Sequence, residues 1–205
     1  MLSFVLLVAV FAVFLSDSSS ADTEVQEGGM IYTLTESAEG GGTATAKWDG
    51  STENIIIKAS VVKDETTYKV TGVSAFTPGK VLKSVIIEGN DGITFADKLF
   101  TKQTALTSVT LGEGIKATSY QMFTGCSSLE NVVLPESLTK IERVTFAQSG
   151  LKSIIIPDNV TEIGDQAFDK CVSLNSVVLG KDSRLEIMGK SVFRNTSIES
   201  FEVPS

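Results

Sequence analysis

The 205-residue chain contains no histidine. Its absence excludes a Ser/His/Asp triad, a Cys/His dyad, a His-ligated metal and the usual general base near neutral pH. Positive charge is also scarce, with 17 basic residues against 25 acidic ones, and the net charge of -8 would repel nucleic-acid phosphates and anionic membrane surfaces. Nucleic acid is not an expected partner. Proline is rare, at 4 residues, and charged residues make up 20% against 42% apolar, a balance that fits a folded chain. After Leu15 no long apolar run remains, so no transmembrane span is expected in the mature chain.

What is present begins with an address. Phe4 to Leu15 is an uncharged apolar run, followed by a serine cluster in which Ser19 and Ala21 supply the small residues of a cleavage site. Residues 1–21 read as a secretory signal peptide cut near Ala21, with an uncleaved anchor as the alternative. The run is shorter than the roughly 20 residues that cross a bilayer. The expected localisation is secreted, extracellular or cell surface.

A period of about 23 residues organises the rest. Leu82-Lys-Ser-Val-Ile-Ile87 recurs as Leu106–Leu111, Leu129–Leu134, Leu151–Ile156, Leu174–Leu179 and Ile198–Val203, with starts separated by 24, 23, 22, 23 and 24 residues. Phe100, Phe123, Phe146, Phe168 and Phe193 travel in register with it. Each unit is expected to open with a short β-branched strand and turn at Pro or Gly. A second extended piece such as Val160 to Ile163 follows, and then a brief helical segment around Gln166 to Asp169. One unit cannot bury its apolar face alone, so stacked units share a continuous core. The predicted fold is a β-rich right-handed solenoid with a parallel β-sheet on the concave face, short extended and helical segments on the convex side, and a small N-terminal β cap. The boundaries read 1–21 signal peptide, 22–67 cap, 68–81 partial entry repeat, and 82–205 repeats, five units plus the start of a sixth.

The stretch Leu151-Lys-Ser-Ile-Ile-Ile-Pro157 through Val160, Ile163-Gly164, Ala167-Phe168 and Cys171 resembles the unit of the BspA-like leucine-rich-repeat family almost position for position. The resemblance covers Leu82 to Ser205 and extends to Tyr68–Phe76, which looks like a partial entry repeat. The unit from Leu82 departs most, with Asn90-Asp91-Gly92 in place of the Pro-x-x-Val step. The resemblance implies a leucine-rich-repeat solenoid that binds host or extracellular matrix proteins, without chemistry of its own.

Strand side chains alternate between faces, so inward Leu, Val and Leu leave three outward columns. The first is Ser84, Ser108, Asn131, Ser153, Ser176 and Ser200. The second is Ile86, Thr110, Val133, Ile155, Val178 and Glu202. The third runs Glu88, Gly112, Pro135, Pro157, Gly180 and Pro204. An apolar stripe beside hydroxyls suits a protein ligand, and the first two columns from Ser84 to Val178 are the candidate binding residues. The alternative is that β-branched neighbours stack only to stabilise the sheet. A catalytic carboxylate pair needs about 5 to 9.5 Å, whereas outward Glu88 and Glu202 lie five strand spacings apart, about 24 Å. No metal site or cofactor is expected.

Cys126 and Cys171 occupy the same unit position two coils apart, about 10 Å, beyond the roughly 7 Å reach of a disulfide, and should be buried free thiols. Asn159-Val-Thr161 and Asn195-Thr-Ser197 are glycosylation sequons. The C-terminal end shows no cap and leaves room for self-association. The expected function is a secreted or cell-surface interaction module, through adhesion or protein binding on the concave sheet. The alternatives are a secreted carbohydrate-active hydrolase and a structural surface antigen without a dedicated ligand.

Overall fold

The computed structural model describes residues 23–38 and 41–199. The signal-peptide segment and the outward residues Ser200, Glu202 and Pro204 lie outside the described residues.

The N-terminal portion forms β1 (Glu24–Glu27), β2 (Met30–Glu36), β3 (Gly42–Trp48), β4 (Asn54–Ile57), β5 (Ser60–Lys63) and β6 (Thr66–Val73). The repeats then contribute β7 (Ser84–Ile87), β8 (Thr94–Phe95), β9 (Ser108–Leu111), β10 (Asn131–Val133), β11 (Lys140–Ile141), β12 (Ser153–Ile156), β13 (Glu162–Ile163), β14 (Ser176–Leu179) and β15 (Ile187–Met188). The first strand of each coil pairs in parallel with its neighbour, Ser84 opposite Ser108 opposite Asn131, and Ser153 opposite Ser176. This ladder is two sheets, β10-β9-β7-β4 and β12-β14, rather than one. The period-2 pattern buries Val85, Ile87, Val109, Leu111, Ile154 and Ile156. Three of the two-residue strands form a second parallel ladder, β11-β13-β15.

The convex side corrects the expected fold, because no α-helix occurs among the described residues. The segment Gln166 to Asp169, expected to be helical, is a run of turns. The amides of Ala167, Asp169 and Cys171 each close back three residues, on Gly164, Gln166 and Phe168. Those between them, on Gln166, Phe168 and Lys170, donate instead to Lys190, Val192 and Arg194 of the next coil at 2.8–3.0 Å. A helix would turn every amide inward along its own axis. Here every second amide is given to a neighbouring coil, and a left-handed residue on each side of the phenylalanine makes that alternation possible. Positive φ recurs two residues before and after each of the five phenylalanines, at Lys98 and Lys102, Gln121 and Gly125, Val144 and Gln148, Gln166 and Lys170, Ser191 and Asn195.

Between the ladders the phenylalanines form one stack. Trp48, Phe76, Phe100, Phe123, Phe146, Phe168 and Phe193 follow each other at centroid distances of 4.8 to 5.6 Å. Offset aromatic pairs at such spacing add to the area they bury. Cys126 and Cys171 are buried and unbridged. Each thiol donates to the carbonyl of the phenylalanine one coil back, Cys126 to Phe100 at 3.1 Å and Cys171 to Phe146 at 3.0 Å. Ser149, in the same column, lies 3.3 Å from the Cys171 sulfur.

The N-terminal sheet, β1-β2-β3-β6-β5, continues into the repeats because β8 pairs in parallel with β6. The Tyr32 hydroxyl donates to Ile56 O at 3.4 Å and accepts from Lys58 N at 3.1 Å, fixing β2 over β4. Asn90, in the turn that fits the repeat pattern least, donates to Ala59 O and Val70 O and so stitches the two parts together.

Two consequences are measurable. Val144 is a β-branched residue at φ 60, a conformation in which its Cβ crowds the following carbonyl, whereas asparagine adopts it readily. Val144→Asn should stabilise by about 1 kcal/mol and raise the melting temperature by about 2–4 °C. Burial pushes the Cys126 thiol from its ordinary 9.0 up to about 12. The folded chain keeps this proton where the unfolded chain has lost it, so stability is full below pH about 9 and declines above it, by about 1.4 kcal/mol per pH unit until the folded value is passed. Urea unfolding between pH 9 and 11 should show a shallower decline for Cys126→Ser, which keeps a donor of the kind Ser149 supplies.

Candidate functional site

With the inward residues fixed by the core, the outward ones are presented in register. Ser84, Ser108 and Asn131 stand in one row on β7, β9 and β10, and Ser153 and Ser176 continue it on β12 and β14. The adjacent row holds Ile86, Thr110 and Val133, then Ile155 and Val178. Ile86 is 42% exposed, Val133 57%, Ile155 68% and Val178 48%, and Thr110 is half-buried. All ten residues therefore share one face.

Both rows begin one strand earlier than the sequence reading placed them. β4 pairs with β7 in parallel, Asn54 opposite Ser84 and Ile56 opposite Ile86. Ser84 Oγ donates to Asn54 Oδ1 at 2.6 Å, and Ile56 is 46% exposed. Glu53-Asn-Ile-Ile-Ile57 carries the same alternation as Lys83–Ile87. It escaped detection because the interval to the next unit is 30 residues and Thr52 replaces the marker leucine. The extra length is taken up by β5 and β6.

The charges bordering the apolar row are paired. Lys83 meets Glu53 at 2.6 Å and Lys152 meets Glu130 at 2.9 Å, alongside the hydroxyl and amide row. On the other side, Glu88 Oε2 accepts from Ala59 N at 3.0 Å with Lys58 at 3.8 Å, so this acid is occupied in holding the start of the ladder. Gly112 belongs there because a Cβ would sit 2.1 Å from Glu88 O. Among the described residues no group of three or more Cys, Asp or Glu could hold a metal ion. Away from this face Lys140 lies between Glu142 at 2.8 Å and Glu162 at 3.2 Å, which keeps the Lys140 ammonium charged to higher pH.

Of the two sequon asparagines, Asn159 is half-buried and donates its Nδ2 to Glu136 O at 2.8 Å, whereas Asn195 is exposed at φ 58 on the convex side.

Residues 93–205 match the model of the BspA type leucine rich repeat region, in six copies. The chain belongs to this family. At the level of the family the chain is a leucine-rich-repeat interaction module. A leucine-rich repeat protein from Bacteroides ovatus ATCC 8483 is 18% identical, covers 88% of this chain and superposes with a TM-score of 0.61; this chain spans 59% of its length. The T. pallidum leucine rich repeat protein TpLRR is 21% identical over 84% of this chain and 69% of its own, with a TM-score of 0.57. The pneumococcal vaccine antigen PcpA is 16% identical over 84% of this chain and 47% of its own, with a TM-score of 0.50. These likenesses are of fold. No curated protein matches the chain. No helix among the described residues is long and apolar enough to cross a membrane.

The outward and inward positions of one strand should respond oppositely to charge. Val133→Glu and Ile155→Glu should leave the melting temperature within about 2 °C, as surface changes do, whereas Val109→Glu, which places an unpaired carboxylate in the core, should cost about 3 kcal/mol or more in urea unfolding.

Proposed function

We propose that the chain is a secreted or cell-surface interaction module that binds a protein partner, of host or extracellular-matrix origin, through the outward face of its strand ladder. The apolar row Ile56, Ile86, Val133, Ile155 and Val178, with the hydroxyl and amide row beside it, forms the contact surface. The signal-peptide segment and the vaccine-antigen description of the pneumococcal structural relative support the extracellular setting.

One observation carries the reading. If exposed β-branched residues served only to stack along the sheet, they would be needed least where the sheet is interrupted. Val133 and Ile155 flank that interruption, between β10 and β12, and are the two most exposed members of the row. Stacking accounts for only one side of each, toward Thr110 and toward Val178. Contact with a partner accounts for the rest, since an exposed apolar patch rimmed by polar groups is what an interface core requires.

The test is saturation binding of the mature chain to immobilised matrix proteins and to cells, with and without Val133→Glu and Ile155→Glu together. Wild type should bind saturably, and the double variant should lose at least about tenfold in affinity while keeping its melting temperature. Equal binding by both would exclude this face, and turnover of a glycan would favour a hydrolase.

A further inference from the structure

The coil from Leu129 to Leu151 has 22 residues, and the shortfall can be placed. From phenylalanine to the next strand's leucine is six residues at Phe100–Leu106, Phe123–Leu129 and Phe168–Leu174, but five at Phe146–Leu151. In the six-residue connections the leucine amide closes a turn on Gln103, Cys126 or Cys171 at 2.9–3.2 Å. In the short one Gly150 N donates instead to Cys126 O, one coil back, at 3.2 Å. A Cβ on Gly150 would lie 2.4 Å from Ser127 O, so only glycine fits this approach.

The shortened turn leads directly into the break in the ladder. β10 and β12 are not hydrogen-bonded neighbours, although their coils are consecutive. A crevice of about 170 Å³ lies between them, lined by Asn131–Val133 and Ser153–Ile155. Val132 and Leu134 are partly exposed, as is Val177 on β14, whereas the matching Val85, Val109 and Ile154, and Ile87, Leu111, Ile156 and Leu179, are buried. The other connections between these coils are intact. β11 pairs with β13, the convex amides of Val144, Phe146 and Gln148 donate to Asp165, Ala167 and Asp169 at 2.8–2.9 Å, and Phe123, Phe146 and Phe168 stack at 5.3 Å.

From this one-sided loss of pairing we infer that the solenoid carries a hinge between β10 and β12. The convex turns and the second ladder act as its pivot, and the break lets the outward rows of β4 to β10 change angle against those of β12 and β14. Elsewhere a change of curvature must stretch backbone hydrogen bonds in the first-strand ladder; at this step only the exposed Lys152–Glu130 ion pair spans the two strands. The inference stands whether or not the face binds a partner.

Matched spin-label pairs on the full chain test it. Asn54→Cys with Asn131→Cys spans three strand steps inside one sheet, and Ser108→Cys with Ser176→Cys spans three steps across the break, both about 14 Å if the ladder were regular. The native thiols are buried and stay unlabelled. The spread of spin–spin distances should be at least about twofold larger across the break, and equal spreads overturn the hinge. A serine inserted between Ser149 and Gly150 restores the six-residue connection and should narrow the spread to that of the control; a folded insertion variant that stays broad overturns the assigned cause. Amide exchange on the wild type gives an independent readout. The Ser153 and Ile155 amides, which point toward β10, should exchange at least about tenfold faster than those of Ser108 and Thr110, and equal protection overturns the inference.

Discussion

Each coil completes its hydrogen bonding on the coil beside it. Three ladders of this kind run along the molecule: the first strands, the two-residue strands, and the alternate amides of the convex turns. Buried backbone groups must be paired, and a coil of about 23 residues with only two short strands and a turn cannot pair them internally. The remaining regularities follow from that constraint. Unit length must stay nearly constant, left-handed residues must recur on both sides of the phenylalanine, and the aromatic rings are carried into a stack as a consequence of the backbone register. It also explains why a loss of one residue at Gly150 interrupts only the ladder nearest to it.

How much of this was legible in the sequence depends on which atoms carry the signal. The leucine and phenylalanine markers report side-chain burial, and they placed β7, β9, β10, β12 and β14, with Ser84, Ser108 and Asn131 in one register and Ser153 and Ser176 in another, but not the break between β10 and β12. The convex turns are decided by where backbone amides point, which side-chain types barely encode. Lys98, Gln121, Val144, Gln166 and Ser191 share one left-handed conformation although their side chains range from a cation through amides and a hydroxyl to a β-branched apolar group. A segment such as Gln166-Ala-Phe-Asp169 therefore reads as helical until the next coil is there to accept its amides. Asn54 and Ile56 were missed for the opposite reason. Their pattern was visible, but β5 and β6 lengthen the interval beyond the period being sought.

The cysteines show how one column serves the ladders with different chemistry. Gln103, Cys126, Ser149 and Cys171 occupy the same position three residues after a phenylalanine. Gln103 Nε2 donates to Thr77 O at 2.7 Å, and both thiols reach the phenylalanine carbonyl one coil back. The position places a small or slender donor against a carbonyl of the preceding coil, and at Phe100 and Phe146 that carbonyl also accepts a turn amide, from Gln103 and Ser149. The two thiols remain unbridged because the column holds them two coils apart, with Ser149 between.

The net charge of -8 belongs to the molecule and not to the face proposed to bind. Along the edges of the apolar row, Glu53 and Glu130 are paired with lysines of the neighbouring strand, and Glu88 is held by Lys58 and the Ala59 amide. Exposed ion pairs of this kind add little stability, generally below about 1 kcal/mol each. Their effect here is to neutralise the border of the stripe. Long-range attraction would then contribute little to recognition, and selectivity must come from the fit of a partner to the apolar row and to the hydroxyls beside it. A surface that selects by shape is sensitive to curvature, and the break between β10 and β12 falls between Val133 and Ile155, the two residues most exposed on that row. A change of angle there moves these two apolar contacts relative to each other before it disturbs any other pair on the face.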